Sequence, residues 1–464
     1  MQVPAHVFRE YDIRGVADRD LSSELAHALG LGLASELGGA GKRIAVSRDC
    51  RLSSDRLHAA LVEGLMAGGA HVIDIGVGPT PQLYFSVHHL SLDGGIMITG
   101  SHNPGEDNGF KIMRGKASFY GQDIQRLRAR LEGDDLPRPA AFGSGESVDL
   151  QSAYISALTR DIARPTTPVP CVLDAGNGAG GPLGLRALRA AGFSPDPLYC
   201  EMDGRFPNHH PDPTVPKNLE ALIARVKATG ARVGLAYDGD ADRLGAVDAS
   251  GDVVWGDKLM ILFSRALLAT RPGAAILGEV KCSQTLYDDI ARHGGRAIMW
   301  KTGHSLIKTK MKEEQALLAG EMSGHMFFAD RYFGYDDALY ASLRLLEILS
   351  ASGKTLGELL ADVPLTHTTP ELRVPCPDAI KFEVVRAITE RYVAKGHEVT
   401  AIDGARIAFR SLSDAPAWGL VRASNTGPVL VMRVEAGTLG ELEAIRAELE
   451  AAVADVRRSA EGMR

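Results

Sequence analysis

Short apolar runs alternate with longer helical patterns three times along the chain, and that repetition limits the fold more than any other feature. "KRIAVSRD", "SSDRLHAALVEGLMAGGA" and "HVIDIGV" follow one another near the N-terminus. "PVPCVLDAG" leads into "PLGLRALRAAGF", and "GAAILGEV" into "SQTLYDDIARHGG" and "RAIMWKTG". Strand and helix in alternation imply βαβ units, because parallel strands need a crossover long enough to hold a helix. Three similar α/β blocks are expected.

Polar stretches rich in Pro, Gly and Ser near residues 134–147, 248–257 and 366–379 divide the 464 residues into four segments. The expected domains are residues 1–148, 149–254, 255–368 and 369–464. The last reads differently, with "HEVTAIDGARIAF" and "WGLVRASNTGPVLVMRVEA" ahead of an Ala- and Glu-rich helical pattern, and is expected to be a smaller α+β domain.

A formal net charge of -7 and the lack of a long Lys/Arg run argue against a phosphate-backbone surface, so no nucleic-acid partner is expected. The five cysteines, Cys50, Cys171, Cys200, Cys282 and Cys376, include no C-x-x-C pair, which argues against a disulfide framework or thiolate zinc site and fits a reducing compartment. "MQVPAHVFREYDIRG" has no apolar signal core, and no apolar run is long enough to span a bilayer. A cytoplasmic protein without a membrane partner, acting as a monomer, is the expectation.

Four polar loops carry the chemistry. In "ITGSHNPGEDNGFK", Ser101 follows the strand-like "GGIMITG" and precedes an Asn-Pro turn, so its hydroxyl is expected on an exposed loop among glycines. That setting suits a nucleophile, or a turn serine capping a local amide. It is not a G-x-S-x-G elbow, since His102 and Asn103 follow.

In "YDGDADR", Asp238, Asp240 and Asp242 alternate, which on an extended segment puts three carboxylates on one side. Three such charges repel and call for a hard cation, and all-oxygen ligation points to Mg²⁺. An EF-hand is excluded by Arg243 and Ala249 at the positions that need Gly and Glu. "GEMSGH" offers Glu321, Ser323 and His325 between glycines, a set suited to paired sugar hydroxyls. "RASNTGP" offers Arg422 and short polar side chains suited to a phosphate. "DAGNGAGG" is ambiguous. Gly176, Gly178 and Gly181 satisfy G-x-G-x-x-G with Glu201 downstream, as in a dinucleotide site, yet any tight strand-to-helix turn needs the same glycines.

Together the loops resemble the α-D-phosphohexomutase family, and within it the phosphomannomutase/phosphoglucomutase branch. "TGSHNP", "DGDADR", "GEMSGH" and "RASNTGP" stand in that family's order, and "FREYDIRG", "KTGHSLIK" and "RYFGYDD" are similar to that branch. The resemblance spans essentially the whole chain and implies four domains around a central cleft. It implies that Ser101 carries a phosphoryl group and that Mg²⁺ is held by Asp238, Asp240, Asp242 and that group. The implied reaction moves phosphate between C1 and C6 of glucose or mannose phosphate through a hexose 1,6-bisphosphate, with glucose 1,6-bisphosphate as activator. Glu321 and Ser323 would hold O3 and O4. Arg422, Ser424, Asn425, Thr426 and Gly427 would hold the idle phosphate. Tyr11, Arg14, Lys281, Arg243 and His304 would line the cleft, and Lys111 and His325 would be the acid/base groups.

The "RASNTGP" form argues against phosphoglucosamine mutase, which stands as the alternative enzyme. A haloacid-dehalogenase-type aspartyl phosphatase or mutase normally has Thr or Val where Asp242 stands. A sugar-phosphate binding protein without turnover is the alternative of another class. Because the bisphosphate must turn over without escaping, the fourth domain is expected to close over the cleft, hinged near residues 366–379.

Overall fold

The computed structural model describes residues 3–133, 136, 141–425 and 427–462. The three expected α/β blocks are present and share one plan. In the first, Arg43–Arg48, His71–Val77 and Gly94–Ile98 are parallel, and Asp107–Arg114 returns antiparallel beside Gly94–Ile98. In the second, Cys171–Asp174, Pro195–Leu198 and Val233–Tyr237 are parallel and Leu244–Asp248 returns. In the third the same places are taken by Ala275–Glu279, Arg296–Trp300, Leu318–Gly320 and Met326–Phe328. The first strand of each set lies between the second and third, with crossover helices such as Ser54–Ala67 and Thr80–His89 between consecutive parallel strands.

The reason lies in the side chains. Gly94–Ile98 and Val233–Tyr237 are buried at every position, so they read as continuous apolar runs and need cover on both faces. Each third strand then ends in a short polar hairpin. The hairpins are residues 99–106, 238–243 and 321–325, three of the four motif loops.

The fourth sheet is antiparallel and its helices, Lys381–Ala394 and Leu439–Gly462, pack on it. Its strands Trp418–Ala423 and Val429–Ala436 are joined by the loop at 424–428, the fourth motif. The α/β fold with mixed sheets and a smaller α+β domain is as expected. The break at 134–147 lies partly outside the described residues.

One apolar cluster runs through all three α/β sheets, from Ala45, Ile73 and Met97 through Leu173 and Tyr237 to Phe263, Phe328 and Leu346. A second fills the other face of the first sheet. The fourth domain has its own core around Val384, Ile388, Met432 and Leu449, and meets the rest at a small patch of Val280, Trp418 and Leu420. No helix among the described residues is long and apolar enough to cross a membrane. None of the five cysteines forms a disulfide among the described residues.

Candidate active site

A cleft of about 1250 Å³ is lined by all four domains. Tyr11, Arg14 and His102 reach it from the first, Arg243 from the second, Lys281, His304, Glu321, Ser323 and His325 from the third, and Arg422, Ser424 and Asn425 from the fourth.

Ser101 lies behind His102 and Asn103, which line the cleft, and is 1% exposed, not on an exposed loop as expected. The metal-type loop of the second domain lies across it, so close that a Cβ on Gly239 would stand 2.3 Å from the Ser101 carbonyl oxygen. Ser101 also has φ +50, a left-handed conformation that costs a side-chain-bearing residue on the order of 1–3 kcal/mol. Arg51 holds it there. Its guanidinium, wholly buried, donates to the carbonyls of Ser101 (2.7 Å), Asn103 (2.7 Å), Asp107 (2.9 Å) and Pro104, and is paired with Asp49 at 3.2 Å. Gly100 is required at this packing, since a Cβ would sit 2.6 Å from the Arg51 Cζ.

The Ser101 hydroxyl donates to Asp238 Oδ2 at 3.0 Å and lies 3.1 Å from His102 Nδ1. Burial, reinforced by Arg243 and Arg14, pushes the His102 pKa well down, so this ring is neutral at pH 7.

The three aspartates converge by a route other than strand alternation. Residues 238–243 form a hairpin turn, with Ala241 at φ +57 and the Asp238 Oδ1 accepting the Asp242 and Arg243 amides at 3.1 Å each. Asp238, Asp240 and Asp242 are fully buried, and each offers a carboxylate oxygen within 4.8 Å of the others. Burial and its two neighbours push the Asp238 carboxyl well above its ordinary pKa. Asp240 Oδ1 is buried without a hydrogen bond. A hard cation would relieve both, so these residues fit a metal. Asp242, His325 and Asp336 form a second possible cluster, but both nitrogens of His325 already face carboxylates.

Lys111 lies behind the cleft wall, with Nζ 2.6 Å from Asp240 Oδ2 and 2.5 Å from Asp242 Oδ2. Burial opposes its charge, but Asp240 and Asp242 outweigh it and raise the pKa. His325 donates from Nδ1 to Glu321 Oε2 at 2.5 Å and from Nε2 to Asp242 Oδ1 at 3.1 Å. Burial opposes this charge too, and Asp242 and Glu321 prevail, pushing the ring up to about 9. Arg243 Nε, 3.3 Å from Nε2, is therefore beside a second donor rather than an acceptor.

Glu321 also accepts from the Gly303 amide at 2.7 Å and the Ser323 hydroxyl at 3.1 Å. His304 opens the helix His304–Glu314 with both ring nitrogens buried and without hydrogen bonds. Tyr11 donates its hydroxyl to the Thr302 carbonyl and accepts from Asn425, at 2.8 Å each, which ties the first domain to the third and fourth. Arg14 donates to Asp12 at 2.6 Å and Asn103 at 3.2 Å. Lys281 pairs with Glu371 at 3.2 Å, and Arg422 with Asp403 at 3.0 Å. Gly427 lines a smaller hollow of about 290 Å³ against Phe8 and Gln125, and not the main cleft. Thr426 lies outside the described residues.

The glycine-rich "DAGNGAGG" seats the aspartate loop. Ala179 donates its amide to the Gly239 carbonyl at 2.9 Å, and Cβ atoms on Gly178 and Gly180 would meet Gly239 and Ala241 at 2.6 and 2.4 Å. Cys200 fills the space beside Gly181. Protein occupies the approach a dinucleotide would use, so the tight-turn reading of these glycines is the one observed. Arg51, Thr80 and His102 were not singled out by sequence. Their partners lie elsewhere in the chain or, for His102, in a neighbour shared with every Ser-His pair.

Sequence profiles for the four phosphoglucomutase/phosphomannomutase domains match in order: alpha/beta/alpha domain I over residues 5–137, domain II over 152–251, domain III over 255–366 and the C-terminal domain over 371–452. The phosphomannomutase/phosphoglucomutase of Pseudomonas aeruginosa is 45% identical over 445 residues, covering 96% of this chain and 94% of its own. A phosphoglucomutase of Neisseria gonorrhoeae is 42% identical over 450 residues, covering 96% of each. The crystal structure of a phosphoglucomutase/phosphomannomutase family protein from Burkholderia thailandensis matches with a TM-score of 0.90 at 40% identity, covering 98% of both chains. With all four domains in order and a site assembled from all four motif loops, this chain belongs to the phosphoglucomutase/phosphomannomutase family.

Proposed function

We propose that this protein is a hexose-phosphate mutase that moves a phosphoryl group between O1 and O6 of glucose and mannose phosphates, through a phosphorylated Ser101 and a hexose 1,6-bisphosphate. The observation that carries the reading is the meeting of Ser101, three buried aspartates and Lys111 directly behind a cleft that Arg422, Ser424 and Asn425 of the phosphate-type loop also line. Domain limits at 1–148, 149–254, 255–368 and 369–464 accompany it, as does a cytoplasmic monomer, and cysteines without disulfides support the reducing compartment.

In one half-reaction the substrate O6 bonds to phosphorus as the bond from phosphorus to Ser101 Oγ breaks, and the second half-reaction returns the 1-phosphate to Ser101. The O6 proton passes to His102, the neutral imidazole beside Ser101 Oγ. Lys111 and His325 both carry their protons, so they enter as acids or as clamps on developing charge. Mg²⁺ on Asp238, Asp240, Asp242 and the serine phosphate would supply fixed positive charge, which is the main need of phosphoryl transfer. Arg243, Arg14 and His304 border the reacting phosphate. Arg422, Ser424 and Asn425, which line the cleft with Lys281 and Tyr11, grip the idle one, and Thr426 and Gly427 are assigned to the same grip by the motif. Glu321 and Ser323 hold O3 and O4, which approximately exchange places when the ring turns over, so a difference at C2 is tolerated.

Phosphorus NMR with Mg²⁺, a trace of glucose 1,6-bisphosphate and glucose, mannose or glucosamine 1-phosphate tests this. The expected result is 6-phosphates from the first two, abolished in Ser101→Ala. Conversion of glucosamine phosphate alone would replace the substrate with that of a phosphoglucosamine mutase, and binding without turnover would leave a sugar-phosphate binder.

A further inference from the structure

Thr80 belongs to the first domain, yet it holds Asp240 of the second by two bonds. Its amide donates to the Asp240 carbonyl at 2.9 Å and its hydroxyl to Asp240 Oδ2 at 2.5 Å. It is fully buried and is the first residue of the helix Thr80–His89, so that amide is a donor the helix itself does not use. One residue thus fixes both the backbone and the carboxylate of a single candidate metal ligand.

The two oxygens of that carboxylate are treated differently. Oδ2 receives Thr80 and Lys111, whereas Oδ1 is buried and has no hydrogen bond. The two donors to Oδ2 differ in charge. Lys111 neutralises the aspartates and therefore competes with a cation for them. Thr80 is neutral, so it orients the carboxylate and leaves its charge in place. A carboxylate with one oxygen engaged by a hydroxyl presents the other alone.

We infer that Thr80 is a positioning residue that makes Asp240 a one-oxygen ligand, and so favours a small cation of strict octahedral geometry over calcium. Ca²⁺ takes six to eight oxygens and readily uses both oxygens of one carboxylate, while Mg²⁺ takes six ligands at short distances. Groups that orient metal ligands in this way typically control metal affinity by about 10- to 100-fold. The inference rests on the metal reading above.

Calorimetric titration of the full-length protein, phosphorylated on Ser101 with glucose 1,6-bisphosphate and then freed of sugar phosphate, with Mg²⁺ and separately with Ca²⁺ tests it. Thr80→Val keeps the side-chain volume and removes the hydroxyl; Thr80→Ala serves if the valine protein does not fold. The expected result is about a 10-fold weaker Mg²⁺ affinity and a fall of similar size in the preference for Mg²⁺ over Ca²⁺, with Thr80→Ser close to wild type. Unchanged affinities for both ions, with only a lower Tm, would make Thr80 a packing residue and overturn the inference while leaving the metal reading intact. Failure of the wild-type protein to bind Mg²⁺ would overturn both.

Discussion

The three α/β domains and the fourth domain are joined to the molecule by different physical means. The first three share one continuous apolar cluster, from Ala45 to Leu356. The fourth docks through Val280, Trp418 and Leu420 and through buried polar contacts. Glu435 accepts from the Ser283 hydroxyl at 2.5 Å, from the Gln284 amide at 3.1 Å and from the Trp418 indole. Lys281 meets Glu371, and Arg406 donates to the Val280 and Cys282 carbonyls. Apolar packing over a wide face opposes any shear of one sheet against another. A few hydrogen bonds around a small apolar patch separate at lower cost. The residues proposed to perform chemistry stand on the shared frame, and the loop proposed to grip the idle phosphate stands on the separable unit.

The largest effect is expected where the frame holds the nucleophile. Arg51→Met should cost about 3–5 kcal/mol in urea unfolding, because Asp49 and four loop carbonyls lose a buried cation. A loss under about 1 kcal/mol would mean that the Ser101 loop keeps its conformation unaided. Glu435→Gln should cost about 1–3 kcal/mol, since the amide cannot accept all the donors that now meet the carboxylate. Hydrogen exchange should then rise at residues 372–462 while the α/β sheets stay protected. Equal loss in both would show that the two regions unfold as one.

The smallest effect is that of acid. Lys281 and Arg373 hold the Glu371 carboxyl at about 2, below its ordinary value. Its contribution to docking is therefore complete above pH about 4.5 and fades as pH falls toward 2, because the separated form binds the proton more readily. Glu435 is shifted the same way: the Ser283 hydroxyl and Gln284 amide outweigh burial. With Trp255 and Trp300 changed to Phe, the emission of Trp418 should move to longer wavelength in that window before far-UV dichroism changes. Simultaneous loss of both signals would contradict separate docking.

The motif loops were legible because each is contiguous and hangs between two strands whose apolar runs announce it. Gly94–Ile98 is one such run, and Val233–Tyr237 another. What holds the loops was not legible. Arg51 meets Ser101 across 50 positions, and Thr80 meets Asp240 across 160. No local pattern distinguishes either from an ordinary surface Arg or helix-opening Thr. The burial of Ser101 escaped for the same reason, since the loop covering it comes from another domain. The aspartates were assigned to the right place by the wrong geometry: spacing two apart reads as strand alternation, whereas the left-handed Ala241 wraps them in a turn. The glycine run shows the converse, with close approach correctly implied but to protein rather than to a dinucleotide.

A core shared by three sheets also dictates when the chain can first be safe. Tyr84 and Phe85, on the helix that covers the first sheet, cannot finish packing their rings until Tyr335 and Phe333 have been made. At about 5–20 residues per second, synthesis of that span takes roughly 13–50 s, far longer than collapse of a finished domain. Through that interval the growing polypeptide carries an uncovered apolar face on its first sheet. Chaperone dependence during translation, and aggregation of fragments cut within residues 150–350, follow from the same continuity that makes the finished frame stiff.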